Sequence, residues 1–208
     1  MAAPLIPKNI YIVGAHSTGK TTLIEALKVH LTLGLVRQIF GPTVDRPNYL
    51  AEVVRMVMYM YDYNANDIRD PVKGYMLQLR TLLNQWGMES IFNNHWMISD
   101  RSGIDPIVYA HVFLGGDESS RLLETPAWRV LRDRMRQGLV ILCEPCNATW
   151  LSSDPVRVAL HKDEWYILTL AFRVMLREQG INFVTIPANM EDMGDRVQFV
   201  EGLIRSGI

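Results

Sequence analysis

Short apolar segments alternate along the chain with segments in which apolar residues recur every three or four positions. The short segments are five or six residues long and are bounded by a glycine, an acid or a proline, a pattern typical of strands buried in a parallel sheet. They cover residues 9–13, 95–100, 139–143 and 181–186, and a further short strand is expected near residues 50–54.

The longer segments have the periodicity of amphipathic helices. Leu23, Leu27 and Leu31 are four positions apart and fall on one face of the first of them. The predicted helices cover residues 20–31, 75–92, 164–178 and 191–204, and another begins near Ser119 or Ser120, is interrupted near Pro126 and resumes to Met135, whereas residues 41–48 and 67–70 are expected to be loops. This alternation predicts an α/β fold with a mainly parallel sheet of about five strands and ligands at the strand carboxyl ends.

Composition narrows the class of protein. The chain has 208 residues, enough for a single domain over residues 1–208, and 49% of them are hydrophobic. The 21 Lys and Arg against 22 Asp and Glu give a net charge of -1, which argues against a nucleic-acid or membrane-surface binder. No apolar run approaches the ~18 residues of a membrane span, and no secretory signal is visible. Cys143 and Cys146 are interpreted as incidental thiols, and a cytoplasmic protein is expected.

A phosphate-binding loop is the strongest motif. Residues 14–21 match G-x-x-x-x-G-K-[ST] at every fixed position, directly after a predicted strand and at the start of a predicted helix. Lys20 would reach the β- and γ-phosphates and the Thr21 hydroxyl would bind Mg²⁺. His16 either faces the γ-phosphate or points to solvent. The predicted nucleotide-binding residues in this loop are Gly14, Ala15, His16, Ser17, Thr18, Gly19, Lys20, Thr21 and Thr22.

Charged residues at other strand ends supply the candidate catalytic groups. Asp100 ends an apolar strand, where it could bind Mg²⁺ or accept a proton, and Arg101 could clamp a phosphate or a substrate anion. Glu144 ends the next predicted strand and is the rival carboxylate. Arg157 is either a lid arginine that stabilises the transferring group or a solvated surface charge.

These motifs together resemble the P-loop kinase-like group that includes the nicotinamide riboside kinase domain of bacterial NadR proteins and related eukaryotic AAA-type ATPase-like domains. The resemblance covers nearly the whole chain and depends on residues 14–22, 52–55, 100–105 and 150–157, with Gln85 and Glu89. It implies the three-layer P-loop NTPase fold, and a eukaryotic member of the group, with fungi as the first source to consider.

The resemblance also implies roles for further residues. Glu52 and Arg55 would line the pocket of the phosphate acceptor, with Asp105 as a third substrate contact. Asp100 would act near Mg²⁺ and the acceptor hydroxyl, Arg157 would close a short lid at about residues 145–163, and the loop at Pro187 would flank the nucleotide base.

Two departures from the NadR pattern concern the acceptor and the lid. Asp100-Arg101-Ser102 stands where NadR-like kinases carry Asp-Thr-Asp, and it is closer to the Asp-Arg-[Ser/Tyr] of nucleoside and nucleotide kinases. Asp154-Pro155 stands where an Asp-Gly pair is usual, so the turn before Arg157 is stiffer. No adenylyltransferase domain is present in the sequence, so a bifunctional NadR is not expected.

The leading function is therefore a Mg²⁺-dependent kinase that transfers the γ-phosphoryl group of ATP to a nucleoside- or riboside-like hydroxyl. GTP is an alternative donor, since no base-reading N-K-x-D motif is present. A nucleotide-dependent regulatory NTPase without a small-molecule acceptor is the second hypothesis, and a binding module without catalysis is the third. The expected partners are the nucleoside triphosphate and the acceptor, in a monomer or a homodimer without nucleic acid or a membrane span.

Overall fold

A five-stranded, wholly parallel sheet forms the centre of the protein in a computed structural model, which describes residues 5–92, 95–147, 150 and 161–207. Its strands are β1 (Ile10–Val13), β2 (Asn48–Leu50), β3 (Met97–Asp100), β4 (Leu139–Cys143) and β5 (Phe183–Ile186). The strand order is β2-β3-β1-β4-β5, so β1 lies in the middle between β3 and β4. The predicted fold class is thus confirmed, with helices on both sides of a parallel sheet.

Helices connect every pair of successive strands, and a last helix follows β5. They are α1 (Lys20–His30), α2 (Leu33–Phe40), α3 (Val53–Met60), α4 (Pro71–Ile91), α5 (Ile104–Phe113), α6 (Gly116–Leu123), α7 (Pro126–Gln137), α8 (Lys162–Glu178) and α9 (Met193–Ser206), with a 3₁₀ helix at Ala65–Arg69. In the described ranges, no helix combines the length and the apolar character needed to cross a membrane.

Alternation along the strands divides the core into two layers, because successive side chains of a strand point to opposite faces. Ile10 and Ile12 of β1 pack with α1, α2 and α9 on one face. Tyr11 and Val13 pack with the larger layer of α3, α4, α5, α7 and α8 on the other. All four residues of β1 are buried, as expected for a central strand covered on both sides.

Helices α2 and α5 lie where the sequence predicted no regular element. Helix α5 is buried on all sides over Ile104–Ala110 and carries Pro106 in its first turn, so it has no polar face to give a helical period. Helix α2 follows α1 almost without a break, and its start is marked only by the Thr32 hydroxyl, which accepts a hydrogen bond from Leu35 N at 3.2 Å.

Three segments differ from their predictions. The second strand is Asn48–Leu50 and not residues 50–54, because helix α3 begins at Val53. The helix expected from Ser119 or Ser120 starts earlier, at Gly116, whereas its predicted interruption near Pro126 is confirmed, because a second helix capped by Thr125 begins there. Residues 67–70 were expected to be a solvated loop, and Arg69 and Asp70 are exposed, but the buried Asp67 carboxylate accepts the Asn64 N–H at 2.9 Å and caps the 3₁₀ helix.

Candidate active site

The phosphate-binding loop joins β1 to α1 at the carboxyl edge of the sheet. Gly14 (φ 133°) and Gly19 (φ 81°) both have positive φ, which favours glycine. A Cβ on Gly14 would lie 2.7 Å from the Cys143 carbonyl oxygen, so the loop can pass this close to β4 only without a side chain. Gly19 is the N-cap of α1 and makes no side-chain hydrogen bond to it. The backbone N–H groups of the first turn of α1 are therefore available to an anion, as in other anion sites at helix N-termini.

Lys20 is buried inside this loop. Its ammonium group donates hydrogen bonds to the Ala15 carbonyl at 2.5 Å and to the Thr18 hydroxyl at 3.4 Å. Burial, helped by the nearby Arg101 guanidinium, lowers the pKa of Lys20 to about 8. A cation held this way in a dry loop gains favourable interactions when phosphate oxygens replace the carbonyl.

Thr21 and Asp100 meet although 79 positions separate them. The Thr21 hydroxyl donates to Asp100 Oδ2 at 2.6 Å, and the other carboxylate oxygen of Asp100 is buried without a hydrogen-bond partner among the described residues. Mg²⁺ prefers oxygen ligands and is usually held by one or two protein groups together with phosphate oxygens. The pair fits such an ion, and no cluster of three or more acidic, His or Cys groups suited to a metal occurs in the described ranges.

Glu144, the rival carboxylate, is engaged elsewhere. Its Oε1 accepts a hydrogen bond from Arg173 Nε of α8 at 3.0 Å, and it does not line the cleft at the phosphate loop. Of the two candidate carboxylates, Asp100 at the end of β3 is therefore the one that contacts Thr21.

Arg101 links the phosphate loop to two acids. Its guanidinium donates to Glu52 Oε1 at 2.6 Å and to Asp105 Oδ1 at 3.2 Å, and it is 3.5 Å from the Gly14 carbonyl. Burial opposes ionisation of Glu52, but Arg101 and the hydrogen bond from Arg55 (2.6 Å) hold the pKa of Glu52 well below its usual range. Burial raises the pKa of Asp105 to about 6 despite Arg101.

A second pocket opens beside the phosphate loop. It measures about 650 Å³ including its mouth, and its walls are mostly apolar. His16, Glu52 and Arg101 line both this pocket and the cleft that contains Lys20, Thr21 and Asp100. The remaining lining residues are Val53, Val54, Met58, Ala65, Ile68, Leu77, Gln78, Thr81, Gln85, Ser102, Asp105, Pro106 and Tyr109.

Two aromatic residues hold His16 at this junction. The Tyr109 hydroxyl accepts the His16 backbone N–H at 3.0 Å and lies 3.1 Å from its Nδ1, and Trp165 Nε1 donates to the His16 carbonyl at 2.8 Å. His16 is 4% exposed, so the interpretation that it points to solvent is wrong. Tyr109 and Trp165 were missed because α5 and α8 meet the loop only in the folded chain.

Arg196 of α9 supports the same loop from the other side. This fully buried side chain donates to the Thr18 carbonyl at 2.9 Å and to the Met190 carbonyl at 2.7 Å, and it contacts the Cys146 sulfur. Its guanidinium lies 5.2 Å from the ring centre of Trp150, which borders the nucleotide cleft. A buried arginine near the end of the chain had no motif that could reveal it.

Sequence comparison identifies the family. The AAA domain family matches residues 9–193, nearly the whole chain. The chain belongs to this family. No curated protein sequence matches this AAA-domain protein.

The AAA-domain protein is similar in fold to several solved P-loop kinases. A NadR protein in complex with NR aligns with a TM-score of 0.69 and 18% identity over 94% of this chain and 51% of that one, so the chain spans about half of the NadR protein. Deoxyadenosine kinase from M. mycoides aligns with a TM-score of 0.62 and 15% identity over 95% and 99% of the two chains. Shikimate kinase from Acinetobacter baumannii gives a TM-score of 0.51 and 15% identity over 97% and 95%.

The other predicted residues fall into three groups in the AAA-domain protein. Ser17 and Thr22 border the cleft at the phosphate loop, whereas Pro187 follows β5 without lining it. The Arg55 side chain is 40% exposed and reaches the site through Glu52. Arg157 and most of the predicted lid lie outside the described residues, and the lid range overlaps the first turn of α8, which begins at Lys162.

Proposed function

We propose that this AAA-domain protein is a kinase that transfers the γ-phosphoryl group of ATP or GTP to a hydroxyl group of a nucleoside- or riboside-like molecule, with Mg²⁺. One observation carries the proposal: a largely apolar pocket adjoins the cleft at the phosphate loop, and His16, Glu52 and Arg101 line both. A molecule in that pocket would present its hydroxyl where the terminal phosphate ends, which is the positioning that phosphoryl transfer requires.

The structural neighbours agree with this interpretation in a general way. They are a NadR protein in complex with NR, a deoxyadenosine kinase with bound dCMP and a shikimate kinase in complex with shikimate, so each of them binds a small molecule. A regulatory NTPase, the alternative, would hydrolyse the nucleotide without using the second pocket.

The position and charge of each residue suggest its role in phosphoryl transfer. Lys20 and the loop amides would hold the β- and γ-phosphates, and Arg101 would neutralise charge on the γ-phosphoryl group. Thr21 and Asp100 would hold Mg²⁺, which supplies charge neutralisation on the phosphate oxygens when bound. Glu52 borders both clefts and is ionised, so it is better placed than Asp100 to accept a hydrogen bond from the acceptor hydroxyl and orient it for attack.

The direct test is ADP or GDP release with a panel of nucleosides and ribosides. We expect at least one panel member to stimulate release above the rate without acceptor and to appear as its phosphomonoester by mass spectrometry. Release of ADP or GDP without a phosphorylated form of any panel member would contradict the kinase proposal. It would favour the regulatory NTPase.

A carboxylate exchange tests the metal assignment. Replacing Asp100 with Asn removes the negative charge of the carboxylate that lies beside the Thr21 hydroxyl. We therefore expect the Mg²⁺ concentration for half-maximal turnover to rise about tenfold or more, a difference of about 1.4 kcal/mol. Glu144→Gln is the matched control, since Glu144 is paired with Arg173. An unchanged Mg²⁺ requirement in Asp100→Asn would contradict the assignment of Asp100 as a Mg²⁺ ligand. A larger change in Glu144→Gln would assign Mg²⁺ binding to Glu144 instead.

A further inference from the structure

Helix α8 carries apolar side chains on its exposed side. Ile167, Leu170 and Val174 are 53%, 61% and 42% exposed, whereas Trp165 and Phe172 of the same helix are fully buried in the core. We call the three exposed residues the α8 stripe. Single exposed apolar residues are ordinary on a protein surface, but neighbouring ones that form a patch mark an interaction site.

A groove beside the α8 stripe widens this apolar surface. It measures about 1080 Å³ including its open side, and it is lined by the stripe together with Val112 of α5 and Leu123 of α6. Two helices pack by placing the side chains of one between those of the other, so such a groove can receive the side chains of a second helix. The surface thus fits a helix that lies along α8.

The two ends of the α8 stripe carry opposite charges. Positions 163, 167, 170, 174 and 177 follow one another at intervals of four and three, which is the spacing of the contact seam in a coiled coil. Asp163 and Arg177 therefore lie on the same side of the helix as Leu170, each seven positions or about 10 Å away from it along the axis. Both are exposed, and among the described residues neither forms an ion pair with another part of the chain.

We infer that the α8 stripe is the surface through which two copies of this protein pair, with their α8 helices antiparallel and a two-fold axis beside Leu170. About that axis Leu170 meets Leu170 of the second copy, and Ile167 meets Val174. Asp163 meets Arg177, and a two-fold interface forms this ion pair twice. Parallel helices would instead place Asp163 beside Asp163 and Arg177 beside Arg177, and like charges at an interface cost free energy. The charges therefore select the antiparallel pairing of two identical helices.

Sedimentation equilibrium of the whole chain tests the pairing. One helix face with its groove lies at the small end of specific interfaces, so we expect a reversible dimer with a dissociation constant on the order of 10 µM. Leu170→Glu places two carboxylates face to face at the axis, and the dimer should weaken by about 100-fold or more. Val29→Glu is the matched control, because Val29 is an exposed aliphatic residue of another helix, α1, and this variant should dimerise like the wild type.

An exchange of charges tests the orientation of the two helices. Asp163→Arg and Arg177→Asp each place like charges opposite one another, and each should weaken the dimer by about tenfold or more. The double variant Asp163→Arg/Arg177→Asp restores opposite charges, so its dissociation constant should return to within about threefold of the wild-type value. An equimolar mixture of the two single variants should form a heterodimer that is tighter than the homodimer of either one, since each copy then meets the opposite charge.

Circular dichroism and nucleotide binding separate pairing from folding in these variants. The α8 stripe is exposed, whereas Trp165, the α8 residue that donates to the His16 carbonyl, is buried, so all the variants should keep the wild-type spectrum and nucleotide affinity. Three results would each overturn the inference: a wild-type protein that is monomeric up to about 200 µM, a dimer that Leu170→Glu leaves intact, or charge variants that recover neither as the double variant nor as the mixture. The kinase proposal does not depend on any of these results.

Discussion

Replacing Lys20 with Ala is expected to lower kcat/KM for phosphoryl transfer by about 100-fold or more, or about 2.7 kcal/mol of transition-state stabilisation. The Lys20 ammonium group is buried, 2.5 Å from the Ala15 carbonyl oxygen. Because solvent does not reach this position, water would not replace the lost positive charge in the variant. Steady-state turnover with saturating acceptor measures the effect. Turnover within threefold of the wild type would contradict the proposed mechanism.

The stability of the Lys20→Ala variant should change little. Burial already lowers the pKa of Lys20, so the folded protein bears a desolvation cost for this charge, and its loss should change the free energy of unfolding by less than about 1 kcal/mol. Lys28 is the matched control on the same helix. It forms an exposed pair with Glu25, and Lys28→Ala should change neither turnover nor stability by much.

The elements that were predicted correctly are those whose pattern is local. Strands β1, β3, β4 and β5 are short apolar runs with a defined stop, and the phosphate loop is set by its own glycines. Thr21 and Asp100 could be proposed as partners from sequence alone, because carboxyl ends of parallel strands gather at one edge of the sheet.

The parts that could not be predicted depend on contacts between distant segments. Tyr109 and Trp165 hold His16 from α5 and α8, and Arg196 holds Thr18 from 178 positions away. Such residues belong to no motif, and their types are common in ordinary cores and surfaces. The pocket beside the phosphate loop could not be predicted for the same reason, since its lining includes residues of α3, the 3₁₀ helix, α4, α5 and the phosphate loop.

Arg101 combines two features that are costly by themselves. Its φ of 77° is unusual for a residue with a side chain, and its guanidinium is buried between the carboxylates of Glu52 and Asp105. A strained backbone persists only where the surrounding contacts require it, and here the two ion pairs supply those contacts.

Replacing Arg101 with Met is therefore expected to lower the free energy of unfolding by about 3–5 kcal/mol, since it leaves the buried Asp105 carboxylate without its ion-pair partner and Glu52 with only the partly exposed Arg55. Urea unfolding followed by circular dichroism measures the loss. Phosphoryl transfer should also fall, because the same side chain lines both clefts. Arg55→Met is the control: Arg55 contacts the same Glu52 carboxylate but is 40% exposed, so its loss should cost less than about 1 kcal/mol.

A second variant distinguishes unpaired charge from lost packing. Adding Glu52→Gln to Arg101→Met removes one of the stranded charges, and we expect the double variant to recover at least about 1 kcal/mol of the loss. The carboxyl group of Asp105 remains, and its pKa is about 6 because burial raises it more than Arg101 lowers it. Without Arg101, the pKa of Asp105 therefore rises further above the usual range. A carboxyl with a raised pKa binds its proton more tightly in the folded state, so the penalty should shrink as the pH falls through that range. A double variant as unstable as Arg101→Met, with a penalty independent of pH, would show instead that Arg101 acts through packing alone.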